Sequence, residues 1–329
     1  DTFKIDTSLT ISLSGGSGDD TFTFSDGVTL TGTLDGGSGA DTLSFAPYIT
    51  GRSLVLTGLG SVDGFGGTST AITGRFTNIN TLVGSQAAGD SLTGMNAASV
   101  WTVNGNHQYT STKTLSFSGF ETLQGGSDVD TFNISGTQPQ VLKGGSGNDR
   151  FVFAHNARLA GNLDGQAGND TLDFSAYTSA RRIVLTDLGS QNGFMGLDIS
   201  IWTSITGDFD NINYIIGSSD AFDEDTIVGV DRKGEWTIGD TGLYKVNPEL
   251  GFESFETVTG GDANDTFNVI GSRNITLIGG AGDDKFVLRK SAVVLGSING
   301  QDGTDTLEYD EDVLPPYDVF VGTATFILG

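Results

Sequence analysis

Gly144-Gly145-Ser146-Gly147-Asn148-Asp149-Arg150-Phe151 is the stretch that decides the fold. Closely spaced glycines permit a tight turn with positive φ, the aspartate closes it, and an aromatic residue begins an extended run. The same order of glycine, aspartate and apolar residue occurs eight times, which predicts a chain built from repeated turn–strand units. The eight segments are Gly15 to Phe22, Gly36 to Leu43, Gly125 to Phe132, Gly144 to Phe151, Gly165 to Leu172, Gly260 to Phe267, Gly279 to Phe286 and Gly300 to Leu307.

The turns recur at a nearly constant spacing. Their first glycines form two groups with the same pair of intervals, Gly125, Gly144, Gly165 and Gly260, Gly279, Gly300. Short β-branched and aromatic runs such as Arg150-Phe151-Val152-Phe153 separate the turns, and no window has a sustained helical period. We therefore predict an all-β parallel β-solenoid, with about 20 residues per coil and about six coils per 130-residue repeat.

A string of separate antiparallel sandwiches, one for each long repeat, is the alternative fold. It also places short strands at regular intervals, of about 8 to 12 residues. Separate sandwiches would not explain the shorter spacing of the turns.

A longer period organises the whole chain. Asp1-Thr2-Phe3 returns as Asp130-Thr131-Phe132 and again as Asp265-Thr266-Phe267. This predicts repeat copies at 1–129 and 130–264 and a partial copy at 265–329, joined in one continuous solenoid. The second copy is longer by about four residues within 193–208 and about two within 220–225, which we expect on surface loops. Because the chain begins and ends within a repeat, we expect it to be a segment of a longer protein.

Composition narrows the classes of partner. The chain has 41 acidic and 16 basic residues and a formal charge of −25, which repels phosphate backbones and excludes nucleic acid as an expected partner. No apolar run of about 18 residues, the length that a span needs, is present, so we expect no membrane span in this segment. The absence of cysteine is compatible with the cytosol and with bacterial surface proteins.

The eight turns resemble the RTX nonapeptide Gly-Gly-x-Gly-x-Asp-x-apolar-x, whose family forms calcium-bound parallel β-rolls. In that family, turn carbonyls and the motif aspartate coordinate calcium between coils. The resemblance implies Ca²⁺ as the cofactor, and the implied metal ligands are Asp20, Asp41, Asp130, Asp149, Asp170, Asp265, Asp284 and Asp305.

The chain departs from the RTX pattern in two ways. RTX nonapeptides follow one another directly, whereas here one motif falls in each coil, so only one edge of the solenoid is expected to carry sites. Asp128 and Ala263 replace the fourth-position glycine, and Gln166 and Gln301 replace the second.

Charge repulsion supports a cation independently of the resemblance. Stacked coils would bring like carboxylates within about 4.8 Å of one another, where they repel unless they are solvated, protonated or bridged. Hard oxygen ligands at a glycine-rich turn suit Ca²⁺. The alternative is that each aspartate accepts hydrogen bonds from its own turn amides without a metal.

Over its whole length, the chain also resembles repeat regions of very large bacterial surface proteins of the adhesin, haemagglutinin-like and β-strand-repeat kinds. The resemblance is carried by pieces such as Asn78-Ile79-Asn80-Thr81-Leu82-Val83-Gly84-Ser85 and Phe117-Ser118-Gly119-Phe120-Glu121-Thr122-Leu123. It implies an extracellular location at the bacterial cell surface and a calcium-stabilised rod for adhesion or for matrix and filament assembly. Because a solenoid has open strand edges at its ends, we expect neighbouring repeats or protomers to cover them end to end.

A glycan-binding or polysaccharide-processing β-helix, of the lyase or epimerase type, is the alternative function. Such an enzyme needs clustered acids, bases or a metal-bound water. The two histidines, His107 and His155, do not recur between copies, and no nucleophile elbow is present. We predict that the chain is not an enzyme, while surface glycans remain open as partners. Arg181-Arg182 suits an acidic sugar, or is a solvated pair.

Overall fold

The computed structural model describes residues 1–219, 224–309 and 326–327. These residues form strands, bridges and turns, with no helix among them. Within this described part, therefore, no helix has the length and apolar character to cross a membrane. Two compact units are present, one of Asp1–Val152 with Ala157–Gly168 and one of Phe153–Asn156 with Asn169–Gly329.

The strands are short, as the turn spacing predicts. Those up to Gly168 are β1 (Thr2–Ile5), β2 (Leu13–Ser17), β3 (Thr21–Phe24), β4 (Leu34–Ser38), β5 (Thr42–Ser44), β6 (Ser53–Leu59), β7 (Phe65–Ser69), β8 (Ile72–Ile79), β9 (Thr81–Val83), β10 (Ser91–Thr93), β11 (Ser99–Val103), β12 (Gln108–Thr110), β13 (Thr114–Ser118), β14 (Thr122–Gln124), β15 (Asp130–Ile134), β16 (Thr137–Gln138), β17 (Val141–Ser146), β18 (Arg150–Phe153), β19 (Arg158–Leu159) and β20 (Leu163–Ala167). Those that follow are β21 (Thr171–Asp173), β22 (Arg182–Leu188), β23 (Phe194–Asp198), β24 (Phe209–Ile212), β25 (Tyr214–Ile216), β26 (Thr226–Val228), β27 (Glu235–Ile238), β28 (Gly242–Lys245), β29 (Glu249–Glu253), β30 (Thr257–Thr259), β31 (Thr266–Val269), β32 (Ser272–Arg273), β33 (Thr276–Ala281), β34 (Lys285–Leu288), β35 (Val293–Val294), β36 (Ile298–Asp302), β37 (Thr306–Tyr309) and β38 (Phe326–Ile327).

The first unit contains two sheets dominated by parallel pairing. In its first sheet β1, β3, β5 and β9 pair in sequence order, and in its second sheet β6, β10, β14, β17 and β20 do the same. Equivalent residues meet across each step, as where Leu123 pairs with Leu142 and Leu142 with Leu163. These two steps equal the intervals between the motif glycines, and they confirm the parallel β-solenoid class and the coil length at the motif-bearing turns.

Antiparallel meanders interrupt the parallel order, and here the predicted coil count is wrong. Strands β6, β7 and β8 pair antiparallel in the second sheet, and β11, β12 and β13 do so in the first. Thr42 therefore pairs with Thr81, a step nearly twice as long as those at the motif-bearing turns. A regular coil repeated six times per copy does not exist, because each meander places three strands in one sheet where a simple coil places one.

The second unit repeats this plan. Its first sheet pairs β21, β25, β29, β28, β27, β31, β34 and β37 in that order, and the antiparallel meander is β27 to β29. Its second sheet pairs β24, β23, β22, β26, β30, β33, β36 and β38, with the meander β22 to β24. The meanders thus occupy equivalent places in the sheets of the two units.

Aromatic side chains stack as inward files between the sheets. In the first unit the ring of Phe132 lies 5.5 Å from Trp101 and 5.0 Å from Phe151, nearly parallel to both. All three side chains are buried. Trp236 holds the place of Trp101 in the second unit and is also buried. Both tryptophans are therefore core residues.

The first insertion of the second copy lies in the loop between β23 and β24. Ile201 and Trp202, within this loop, are 95% and 69% exposed. Ser200 and Ser204, in the same loop, are buried, so only part of the loop faces solvent. In the second insertion, residues 220–223 lie outside the described residues.

Candidate functional site: stacked glycine–aspartate turns

The motif turns all connect a strand of the second sheet to a strand of the first sheet, as from β2 to β3 and from β33 to β34. Gly16 and Gly18 have φ of 101° and 100°, values that favour glycine. Gln166 and Gln301, which replace the second glycine elsewhere, have φ of 68° and 69°. The turn therefore tolerates glutamine in a left-handed conformation. Within each unit, the predicted aspartates lie at the edge where the chain passes from the second sheet to the first.

Within each group of turns, a motif aspartate caps the backbone of the preceding turn. The Asp20 amide donates to Asp41 Oδ1 over 2.9 Å, and the Asp284 amide donates to Asp305 Oδ1 over 3.0 Å. The amide of Asp265 likewise donates to Asp284 Oδ1 over 2.7 Å. The stacking thus brings the carboxylates into files, as predicted from the sequence.

A second set of hydrogen bonds connects neighbouring turns in the opposite direction, through the residue that precedes Asp20 and the residue that precedes Asp284. Asp19 Oδ1 accepts from the Ala40 amide over 2.8 Å, and Asp283 Oδ1 accepts from the Thr304 amide over 2.8 Å. These side chain–backbone hydrogen bonds add to backbone hydrogen bonds between the turns, such as that from the Gly18 amide to the Ser38 carbonyl over 2.8 Å.

The second carboxylate oxygen has no such partner in the turns of Asp20, Asp41 and Asp284. Oδ2 of Asp20, Asp41 and Asp284 is buried and makes no hydrogen bond within the described residues. Leaving a carboxylate oxygen buried without a donor costs free energy. These oxygens are the unsatisfied groups to which a cation would bind.

A backbone carbonyl converges on the same place. At Gly15, the position of a Cβ atom would lie less than 3.0 Å from both Asp20 Oδ2 and the Gly36 carbonyl oxygen. Gly279 repeats this arrangement with Asp284 Oδ2 and the Gly300 carbonyl oxygen. The first position of the motif must be glycine because a side chain there would overlap with these two oxygen atoms.

Burial shifts the titration of these carboxyl groups. It raises the pKa of Asp284 to about 7, with the charges of Asp265 and Asp305 adding to the effect. Burial also raises the pKa of Asp41, chiefly through loss of hydration. Negative charge is therefore costly in these files in the absence of a cation.

The groups available for binding a metal at these turns are oxygen atoms, which suit calcium. Ca²⁺ takes six to eight oxygen ligands from carboxylates and main-chain carbonyls. Within the described ranges, no group of three or more His, Cys, Asp or Glu side chains is placed to hold a metal. A cation at these turns would therefore be bound by one or two carboxylates, with main-chain carbonyls supplying most of the other protein ligands.

The turns at Asp130 and Asp265 are built differently. Asp130 Oδ2 accepts from the Gly126 amide over 2.7 Å, and its Oδ1 accepts from the Ser99 hydroxyl. Asp265 accepts from the amides of Gly234 and Gly261 over 2.7 and 2.9 Å. Both oxygens of each carboxylate are thus satisfied, which is the metal-free arrangement considered from the sequence. These turns are the two in which the fourth glycine is replaced.

Sequence reasoning missed two buried aspartates on the other edge, where the chain passes from the first sheet to the second. Asp90 accepts from the Ser85 amide and from the Ser85 hydroxyl over 3.0 Å, while its own amide donates to Glu121 over 2.8 Å. Asp225 has the same arrangement, with the Ser218 hydroxyl 3.0 Å and the Arg181 amide 2.7 Å from its Oδ1. The available signal was an aspartate followed by Ser or Thr and an apolar residue, without the glycine pattern.

The raised pKa values predict a pH dependence of stability. Because the pKa of Asp284 lies at about 7, above its ordinary 3.8, the folded protein binds more protons than the unfolded chain between these values. The melting temperature of calcium-free protein should therefore fall as pH rises from about 4 to about 7. Asp284→Asn should flatten this slope, whereas Asp302→Asn, at an exposed position, should leave it unchanged. Equal slopes in all three proteins would contradict the assignment.

Residues 12–28 and 33–45 match the family model of the RTX calcium-binding nonapeptide repeat (4 copies). These ranges contain the turns of Asp20 and Asp41, both of which have an unsatisfied Oδ2. The chain therefore carries an RTX-like repeat region of a kind that binds calcium. No curated protein matches the chain.

Proposed function

We propose that this chain is a calcium-stabilised structural repeat module of an extracellular bacterial surface or fibre protein. The observation that carries the proposal is the set of buried, unsatisfied Oδ2 atoms at stacked RTX-like turns. Calcium there would offset the cost of burying ionised carboxylates and would fasten neighbouring coils to each other.

The ligands differ between the turns. Asp20 and Asp41 in the first unit and Asp284 and Asp305 in the second would hold calcium together with turn carbonyls. Asp149 and Asp170 belong to the same type of turn and stay predicted ligands. For Asp130 and Asp265, whose oxygens are already hydrogen-bonded, we propose a structural role without direct coordination.

Calcium removal tests the proposal. The melting temperature of the chain should rise with added Ca²⁺ and fall on treatment with a chelator, because a ligand that binds only the folded state stabilises it. Calcium at about 100 times its dissociation constant stabilises by about 2.7 kcal/mol for each independent site. Magnesium should act less, since it dehydrates reluctantly and demands octahedral geometry.

Two variants make the calcium test specific. Asp284→Asn should remove part of the calcium-dependent increase in melting temperature, whereas the exposed Asp302→Asn should retain all of it. A melting temperature that is the same with calcium and with chelator would refute the proposal.

An extracellular location is supported by the matched repeat, since RTX repeats occur in secreted bacterial proteins. The role in adhesion or in matrix and filament assembly, with neighbouring repeats or protomers stacked end to end, extends that proposal. Sedimentation of the purified chain over a range of concentrations tests the assembly: growth of the particles with concentration is expected, and a monomer throughout would contradict it.

We also propose that the chain is not catalytic. His107 stacks on the ring of Phe117 and contacts Gln140, so it has a packing role. His155 is exposed and lies within hydrogen-bonding distance of Thr178. A screen for glycan turnover by the purified chain should be negative, and turnover abolished by one substitution would overturn the proposal.

A further inference from the structure

The insertion loop between β23 and β24 is folded around one buried carboxylate. Asp198 accepts from the amides of Ser200 and Ser204 over 3.0 and 2.7 Å and from both of their hydroxyls. Arg181 pairs with Asp198 over 3.5 Å and donates to the Trp202 carbonyl over 3.0 Å. The side chains of Arg181 and Asp198 are 1% and 0% exposed. Buried hydrogen bonds and a buried ion pair therefore hold the loop in place.

Although buried contacts hold the loop, it exposes two large apolar side chains to solvent, those of Ile201 and Trp202. The first copy has no counterpart, since Ser69 and Ile72 pair across a tight turn at the equivalent place. Trp101 and Trp236, the other two tryptophans, are fully buried. The exposure of Trp202 is thus a particular property of the second copy.

A cavity of about 420 Å³ adjoins the loop, a size within the range of roughly 300–1,000 Å³ that is usual for small-ligand sites. Its lining combines an exposed indole and isoleucine with charged and hydroxyl side chains. The residues that matter here are Trp202, Ile201, Arg182, Glu224, Ser179 and Thr226.

We propose that this cavity binds a neutral pyranose unit of a glycan. A pyranose ring has an apolar face of C–H bonds and a rim of hydroxyl groups, which matches an indole face bordered by hydrogen-bonding side chains. Trp202 would pack against the ring, while Arg182 donates to hydroxyls and Glu224 accepts from them.

Charge favours a neutral sugar over an acidic one. Arg181 is already paired with Asp198, so Arg182 is the arginine left to face a ligand. Glu224 lines the same cavity, and the net charge of −25 repels polyanionic chains. The proposal goes beyond a structural role and does not depend on calcium.

Saturation-transfer NMR on the whole chain tests the proposal, with methyl glycosides of neutral hexoses and of N-acetylhexosamines as probes and glucuronate as the acidic comparison. At least one neutral glycoside should bind. Trp202→Ala should weaken its binding by roughly tenfold, and Trp202→Phe should retain part of it. Ile49→Ala, at an exposed apolar residue of the first unit, serves as the matched control and should bind as the parent does.

Three results would overturn the proposal. The first is that no neutral probe binds to the chain, although circular dichroism and melting temperature show that the parent and its variants are folded alike. The second is binding of glucuronate alone, lost in Arg182→Ala and kept in Trp202→Ala. The third is self-association in sedimentation that Trp202→Ala abolishes, without any sugar binding, which would make the loop a contact between copies.

Discussion

Asp198→Ala should lower the free energy of unfolding of the second unit by about 3–5 kcal/mol. The substitution leaves the Arg181 guanidinium buried without its counter-charge, since Asp198 is its ion-pair partner over 3.5 Å. It also removes the acceptor for the amides of Ser200 and Ser204. Urea denaturation followed by circular dichroism measures the loss.

The first copy offers a matched control for this buried ion pair. Arg52 is the counterpart of Arg181, and both guanidinium groups lie over a tyrosine ring, at 4.4 Å from Tyr48 and 4.1 Å from Tyr177. Arg52 hydrogen-bonds to Thr50 and to the Gly51 carbonyl, and its surroundings are more exposed. Arg181→Ala should therefore destabilise by about 3–5 kcal/mol, and Arg52→Ala by about 1 kcal/mol or less. Equal losses from the two arginine substitutions would show that the ion pair contributes little.

The glycine–aspartate turns were predictable because their information is local. At Gly144 to Phe151, the glycines, the aspartate and the apolar residue each have a preference that favours the same turn and the same following strand. The regular spacing of the turns then places equivalent ones on neighbouring coils. The short pattern and its spacing together were enough to predict the files of carboxylates.

The antiparallel meanders were not predictable from the same spacing. Leu82, Val103 and Leu123 are almost evenly spaced and resemble the ends of successive coils, yet Leu82 and Val103 both belong to the first sheet. Hairpin strands and coil strands have the same alternation of apolar and polar residues. Which strand a segment pairs with depends on contacts distant in sequence, so the spacing gave too many coils.

The two adjacent arginines of the candidate glycan site are a second case in which the sequence alone did not predict the structure. The sequence suggested an acidic-sugar site or a solvated pair, whereas Arg181 is buried and Arg182 is exposed. Opposite faces are expected of neighbouring residues in an extended chain. The carboxylate that makes burial of Arg181 possible is Asp198, at the end of β23, and no local pattern connects the two positions.

Phe132→Ala should destabilise the first unit by about 3–5 kcal/mol. Phe132 is fully buried and lies between two parallel aromatic rings, those of Trp101 and Phe151. Truncation leaves a cavity that neither neighbour can fill without leaving its own place in the file, because the backbone of each is held by the ladder of its own strand. Urea denaturation monitored by far-ultraviolet circular dichroism measures the effect.

Phe3→Ala is the control within the same unit. Phe3 is half-buried and stacks on a single ring, that of Phe22 at 4.6 Å, so its removal should cost clearly less than that of Phe132. Phe267→Ala, with rings on both sides at 6.1 and 4.8 Å, should reproduce the large loss in the second unit. If Phe3→Ala were as damaging as Phe132→Ala, the loss would depend neither on full burial nor on a second stacked ring, which are the two differences between these positions.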